Sequence, residues 1–130
     1  MSAPTSSHGG VLIVEDDDDA RQMMRDVVEL GGCTAMLAAN GVEALQVLAT
    51  RRPCLIVIDL TMPVMNGATL IEELRRQPAL AQIPFIVTTA ATDRAPSGAP
   101  VLTKPIDIKA VWAWMQRTCH CATATAMSSS

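Results

Sequence analysis

Five polar residues stand directly behind short apolar runs. Glu15 and Asp16 follow Val11-Leu12-Ile13-Val14, Asp59 follows Leu55-Ile56-Val57-Ile58, Thr89 follows Phe85-Ile86-Val87-Thr88, and Lys104 follows Val101-Leu102-Thr103. Carboxylates brought together from two such places repel one another unless a cation sits between them. A few hard oxygen ligands with room left for water suit Mg²⁺ better than a fully caged Ca²⁺. With a hydroxyl at Thr89 and an ammonium at Lys104 opposite it, Asp59 has the surroundings of a nucleophile in phosphoryl transfer. The cations neutralise phosphoryl oxygens, the hydroxyl hydrogen-bonds one of them, and the carboxylate attacks in line.

That chemistry requires elements that bring the five groups to one place. The runs at 11–14, 55–58 and 84–88 are short, uninterrupted and rich in β-branched residues, the pattern of strands covered on both faces in a parallel sheet. Cys33 to Ala38 and Val101 to Thr103 are weaker strands. Between them the period changes. Ala20, Met23, Met24, Val27 and Val28 recur at three-and-four spacing, as do Val42, Leu45, Leu48 and Ala49, then Leu70, Ile71 and Leu74, and finally Ile108, Val111, Trp112 and Met115. Gly31-Gly32 stops the first helix, Asn40-Gly41 opens the second, and Arg52-Pro53 closes it off. Alternation of this kind predicts a doubly wound α/β fold with five parallel strands and helices on both faces. In such sheets the site lies at the carboxyl ends of the strands, where all five polar groups fall.

Composition narrows the function further. The chain has 130 residues, 49% of them hydrophobic and 18% charged, enough for one core and one domain. The net charge is -3, but five acids stand together at Glu15 to Asp19, and the remaining eight against ten bases leave +2. Asp17, Asp18 and Asp19 read as a helix start, supplying a cap and favourable charge at the N-terminal end. No broad basic field exists for direct nucleic-acid binding, and one Phe, two Trp and no Tyr leave little for stacking ligands. No apolar run approaches the roughly 20 residues of a membrane span, so no membrane insertion is expected. Residues 1–10 lack the basic start and apolar stretch of a secretory signal. Cys33, Cys54, Cys119 and Cys121 lack paired C-x-x-C spacing, and two lie in or beside apolar runs where buried, inert thiols are usual. These features point to a reducing, cytoplasmic setting. Cys119-His120-Cys121 reads as a frayed helix end, since adjacent ligands of this kind cannot all face one ion without distortion.

Val11-Leu-Ile-Val-Glu-Asp-Asp17, Ala39-Asn-Gly-Val-Glu-Ala-Leu45, Ile58-Asp-Leu-Thr-Met-Pro-Val-Met-Asn-Gly67, Ile83-Pro-Phe-Ile-Val-Thr-Thr-Ala90 and Thr103-Lys-Pro105 follow one another in the chain. Together they resemble the CheY-like receiver domain of two-component response regulators, over about Val11 to Cys119. The resemblance implies a flavodoxin-like fold with Asp59 as phosphoacceptor, served by a sensor histidine kinase or a histidine phosphotransfer protein. It implies Mg²⁺ held by Asp16 and Asp59 directly, by Glu15 through water and by the backbone carbonyl of Thr61. Thr89 matches the switch hydroxyl and Lys104 the lysine of the site, while Lys104-Pro105 resembles a peptide that is cis in the family. Gly67 fits the turn that starts the third helix.

Two departures concern output. The interval from Thr89 to Lys104 is short and contains Pro96, Gly98 and Pro100, so the family's fourth helix, between the fourth and fifth strands, is expected to be shortened or absent. Val101 stands where the family usually has Tyr or Phe. The expectation is therefore a receiver at 11–121 between a flexible leader, 1–10, and a flexible tail, 122–130. It is not an enzyme beyond its own phosphorylation and dephosphorylation, and it signals to an unknown downstream protein by contact, without a DNA-binding domain. The alternative is a phosphorylation-independent adaptor with a disabled switch. A flavodoxin-type cofactor protein is disfavoured because an acidic run occupies the loop that would cradle phosphate. A haloacid-dehalogenase-type hydrolase is disfavoured because Thr61 stands where a second Asp would be needed.

Overall fold

In a computed structural model of the chain, residues 9–60, 67–90 and 98–121 are described. Five strands, β1 (Val11–Val14), β2 (Ala35–Ala38), β3 (Leu55–Asp59), β4 (Phe85–Thr89) and β5 (Val101–Thr103), form one parallel sheet in the order β2-β1-β3-β4-β5. The strand order reverses around β1, so the crevice lies between the carboxyl ends of β1 and β3. The helices are α1 (Asp18–Leu30), α2 (Gly41–Leu48), α3 (Gly67–Arg76), the single turn α4 (Pro78–Ala81) and α5 (Ile108–Thr118).

The β-branched runs form strands because both faces of the sheet are covered. Leu12, Val14, Ile56 and Ile58 pack with Leu48, Leu70 and Leu74 of α2 and α3. Val11, Ile13, Leu55 and Val57, at the alternate positions, pack with Val27 and Val28 of α1 and with Val111 and Met115 of α5. The period of two along each strand thus divides the apolar residues between two cores. Each fully buried Leu or Ile contributes about 2 kcal/mol of hydrophobic stabilisation.

The helix boundaries follow their caps. Asp17 accepts from Ala20 N at 2.8 Å and opens α1, with Asp18 and Asp19 in its first turn. Asn40 accepts from Glu43 N at 2.9 Å, while Glu43 reaches back to Ala39 N at 2.8 Å. At the other end of α1, Gly32 takes a positive φ of 98°, which a residue with a Cβ rarely adopts. Trp112 Nε1 donates to Val27 O at 2.8 Å, tying α5 to the last turn of α1.

Three expectations need adjustment. The turn α4 was not expected, although Pro at its first position marks a helix start. The expected strand from Cys33 begins at Ala35 instead, because Cys33 still belongs to the turn that ends α1, its amide donating to Val28 O at 3.3 Å, and pairing with β1 starts at Val11 and Ala35. Cys33 pairs with Cys121 and Cys54 with Cys119, so the reading of the cysteines as inert thiols is corrected, and with it their use as a sign of a reducing compartment. The pairs lie 88 and 65 residues apart in sequence, and only the fold brings their Cα atoms to 5.0 and 5.1 Å. The expected loss of the helix between β4 and β5 falls on 91–97, outside the described residues, as do the leader through residue 8 and the tail from 122. Among the described residues, no helix is long and apolar enough to cross a membrane.

Candidate functional site

The carboxyl edge of the sheet carries the site. Glu15 and Asp16 follow β1 directly, Asp59 is the last residue of β3, Thr89 the last of β4, and Lys104 follows β5. Register brings them level. Val14 pairs with Ile58 and Asp59 with Thr88, while Thr89 pairs with Thr103 next to Lys104. Carboxylate oxygens of Glu15, Asp16 and Asp59 all lie within 4.8 Å of one another. Lys104 Nζ stands 3.4 Å from Asp59 Oδ1 and 3.9 Å from Glu15 Oε1. Asp59, Glu15 and Thr89 are buried, whereas Asp16 is exposed at the mouth.

Burial and crowding set the electrostatics. The Glu15 carboxyl is pushed up from 4.5 to about 7, first by burial, then by its hydrogen bond with Asp59 and the negative charge there. The Asp17 amide, donating to Glu15 Oε2 at 3.2 Å, and the Lys104 ammonium oppose the shift. Two carboxylates that converge in a buried place favour a proton on one of them, here Glu15. This donor set of three carboxylates at one edge, one of them open to water, fits a hard divalent ion of the Mg²⁺ type.

Two features position the site: Arg21, which had no sequence signal of its own, and Gly67, which was expected to start the third helix. Arg21, in the first turns of α1, donates from Nη1 to Glu15 O at 2.8 Å and pairs with Asp18, bracing the acidic loop from behind. Gly67 opens α3 directly against β3. A Cβ there would stand 2.7 Å from Asp59 O and 2.8 Å from Leu60 Cα, so this helix start can approach the phosphoacceptor candidate only as glycine. Gly67 N donates to Leu60 O at 3.1 Å.

The remaining expected positions are simply placed. Thr61 lies outside the described residues. Val101 is the first residue of β5, half-buried and in register with Val87. The Lys104–Pro105 peptide is cis. Beside the site, a cavity of about 360 Å³ between α1 and α5 is lined mainly by apolar side chains, among them Met23, Met24, Val57 and Ile108, and reaches Lys104. Met23 and Ile108 are exposed at its rim.

This sheet order, with acids at the carboxyl ends of β1 and β3 and a lysine behind β5, is that of a doubly wound α/β domain with one acidic site at its switch point. The family model described as the response regulator receiver domain matches residues 11–113, and the chain belongs to that family. It is 44% identical over 82 residues to the protein-glutamate methylesterase/protein-glutamine glutaminase 3 of Hahella chejuensis, covering 62% of this chain and 23% of that protein. The chain thus spans under a quarter of that relative's length and matches only its receiver part. Among solved structures, the Francisella response regulator 1452 receiver domain superposes with a TM-score of 0.76 at 30% identity, covering 85% of this chain and 95% of that one. The receiver domain of the Pseudomonas aeruginosa sensor histidine kinase PA1611 superposes at 0.77 with 24% identity, covering 85% and 97%. That protein carries a magnesium ion coordinated in its active-site cleft.

Proposed function

We propose that this chain accepts a phosphoryl group on Asp59 from a sensor histidine kinase or a histidine phosphotransfer protein, and signals to a downstream protein by contact. The convergence of three carboxylates with Lys104 on the Asp59 side chain carries this reading. Glu15, Asp16 and Asp59, with the Thr61 carbonyl, would hold Mg²⁺, which when bound supplies positive charge against the phosphoryl oxygens. An Asp59 carboxylate oxygen forms the new O–P bond as the donor's N–P bond breaks, and the imidazole nitrogen leaves with the bonding pair. Lys104 already sits on Asp59 and is placed to pair with a phosphoryl oxygen, and the Thr89 hydroxyl to hydrogen-bond another. Arg21 and Gly67 hold the acidic loop and the end of β3 in position. The chain performs no other catalysis.

The test is phosphate incorporation from acetyl phosphate with Mg²⁺ present. Wild type becomes labelled and Asp59→Asn does not; an unlabelled wild type ends this reading. One observation favours a second reading. Val101 places no ring in β5 to follow a recruited hydroxyl, which suits an adaptor whose contacts ignore phosphorylation. Partner binding measured with and without a phosphoryl mimic separates the two, since an adaptor is indifferent to it.

A further inference from the structure

The amino edge of the sheet, opposite the acidic site, gathers every cysteine in the chain. Cys33 precedes β2, Cys54 precedes β3, and Cys119 and Cys121 follow α5. As disulfides, Cys33 is joined to Cys121 and Cys54 to Cys119. The two bridges are not separate. Cys54 Sγ lies 4.0 Å from Cys121 Sγ, across the pairs, and the sulfurs of Cys33, Cys119 and Cys121 all lie within 4.8 Å of one another. In a tetrahedral zinc tetrathiolate with Zn–S of about 2.3 Å, neighbouring sulfurs are about 3.8 Å apart. Two independent bridges would have no need of this cross-approach.

We infer that the four cysteines form a convertible site, two disulfides when oxidised and one Zn²⁺ tetrathiolate when reduced. A dithiol reductant supplies the conversion. Two dithiol molecules give four electrons and four protons to the two bridges, releasing four thiols and becoming two disulfides themselves. Zn²⁺ then binds four thiolates and displaces four protons. The surroundings are those of a structural site. Cys33 and Cys119 are buried, Cys54 and Cys121 are half-buried and pack against the same apolar cluster, and four protein ligands leave no position for water. The contiguous Cys119-His120-Cys121 run does not itself form the set, since His120 is exposed. The fold replaces it with Cys33 and Cys54. In both states the end of α5 is fastened to the starts of β2 and β3.

The experiment titrates the fully reduced, metal-free chain with Co²⁺ under anaerobic conditions and then displaces it with Zn²⁺. One Co²⁺ per chain bound through sulfur is expected, with the visible bands of tetrahedral coordination and a sulfur-to-metal charge-transfer band. Carboxylate-bound cobalt at the opposite edge lacks that charge-transfer band. Zn²⁺ loading should also make all four thiols unreactive to a maleimide, and Cys54→Ser and Cys121→Ser should each lose the stoichiometric spectrum. Circular dichroism of the variants checks that they fold, while the wild-type titration stands without them. Reduced wild type that binds no Co²⁺ through sulfur, or keeps its thiols reactive in Zn²⁺, overturns the inference.

Discussion

Glu15 is the titrating group whose cost can be followed through a pH series. Its carboxyl is ordinary in the unfolded chain, near 4.5, and raised to about 7 in the metal-free fold by burial and by Asp59. Between those values the folded state binds more protons than the unfolded one, so stability falls as pH rises through the window. Below 4.5 both states are protonated and the penalty is absent; above 7 both are ionised and it is complete. A raised pKa of this size corresponds to about 3 kcal/mol, an upper figure that relaxation around Asp16 and the site mouth reduces. The side chain is 11% exposed, which limits screening by water. Glu15→Gln keeps the shape without the ionisation. Urea unfolding of both proteins in EDTA, from pH 4.5 to 8, should show the variant gaining on wild type by 2–3 kcal/mol, on the order set by that shift, with the change centred between 4.5 and 7. On the proposed function Mg²⁺ would take the place of the proton, so it should restore wild type at pH 8 while doing less for the variant. A difference between the two proteins that stays constant with pH refutes the account of Glu15 as a carboxyl crowded by Asp59.

Other expectations follow from neighbouring contacts. Lys104→Met removes the cation 3.4 Å from Asp59 and 3.9 Å from Glu15, so the midpoint of Glu15 by NMR titration should move further up; an unchanged or lowered midpoint contradicts the pairing. Gly67→Ala drives a methyl into Asp59 O and should cost about 1–3 kcal/mol of stability while slowing labelling from acetyl phosphate. If both stay at wild-type values, the close approach is not needed. Met23→Asp places a charge on the exposed apolar rim beside the site, and should weaken transfer from a phosphorylated protein donor while leaving acetyl phosphate labelling intact. Equal loss with both donors would mean the rim supports the site rather than a partner.

The strands were legible because parallel strands buried on both faces write themselves as unbroken β-branched runs, and β1 and β3 are buried at every position. The helices were legible from spacing and from Asp17, Asn40 and Gly31-Gly32 as their punctuation. The turn α4 was not, since four residues carry no period and only Pro78 announces it. The approach of the acids to Lys104 followed from one rule, that polar residues at strand exits meet at one edge. The bracing by Arg21 obeyed no such rule. An arginine six residues after Glu15 is equally suited to solvent, and only the path of the loop into α1 turns its guanidinium onto the Glu15 carbonyl.

The cysteines show why the two edges differ in legibility. At the carboxyl edge each group is announced by the strand it ends, so position in sequence translates into position in space. At the amino edge the sulfurs arrive from a helix exit, a strand approach and the chain beyond α5, and none of these has a pattern pointing to the others. Their meeting depends on α5 crossing back over the sheet, held by Val111 and Met115 in the core and by Trp112 on Val27 O. The spacing Cys119-His120-Cys121 therefore misleads when read alone. Its two sulfurs belong to two different bridges, with partners 88 and 65 residues away in sequence.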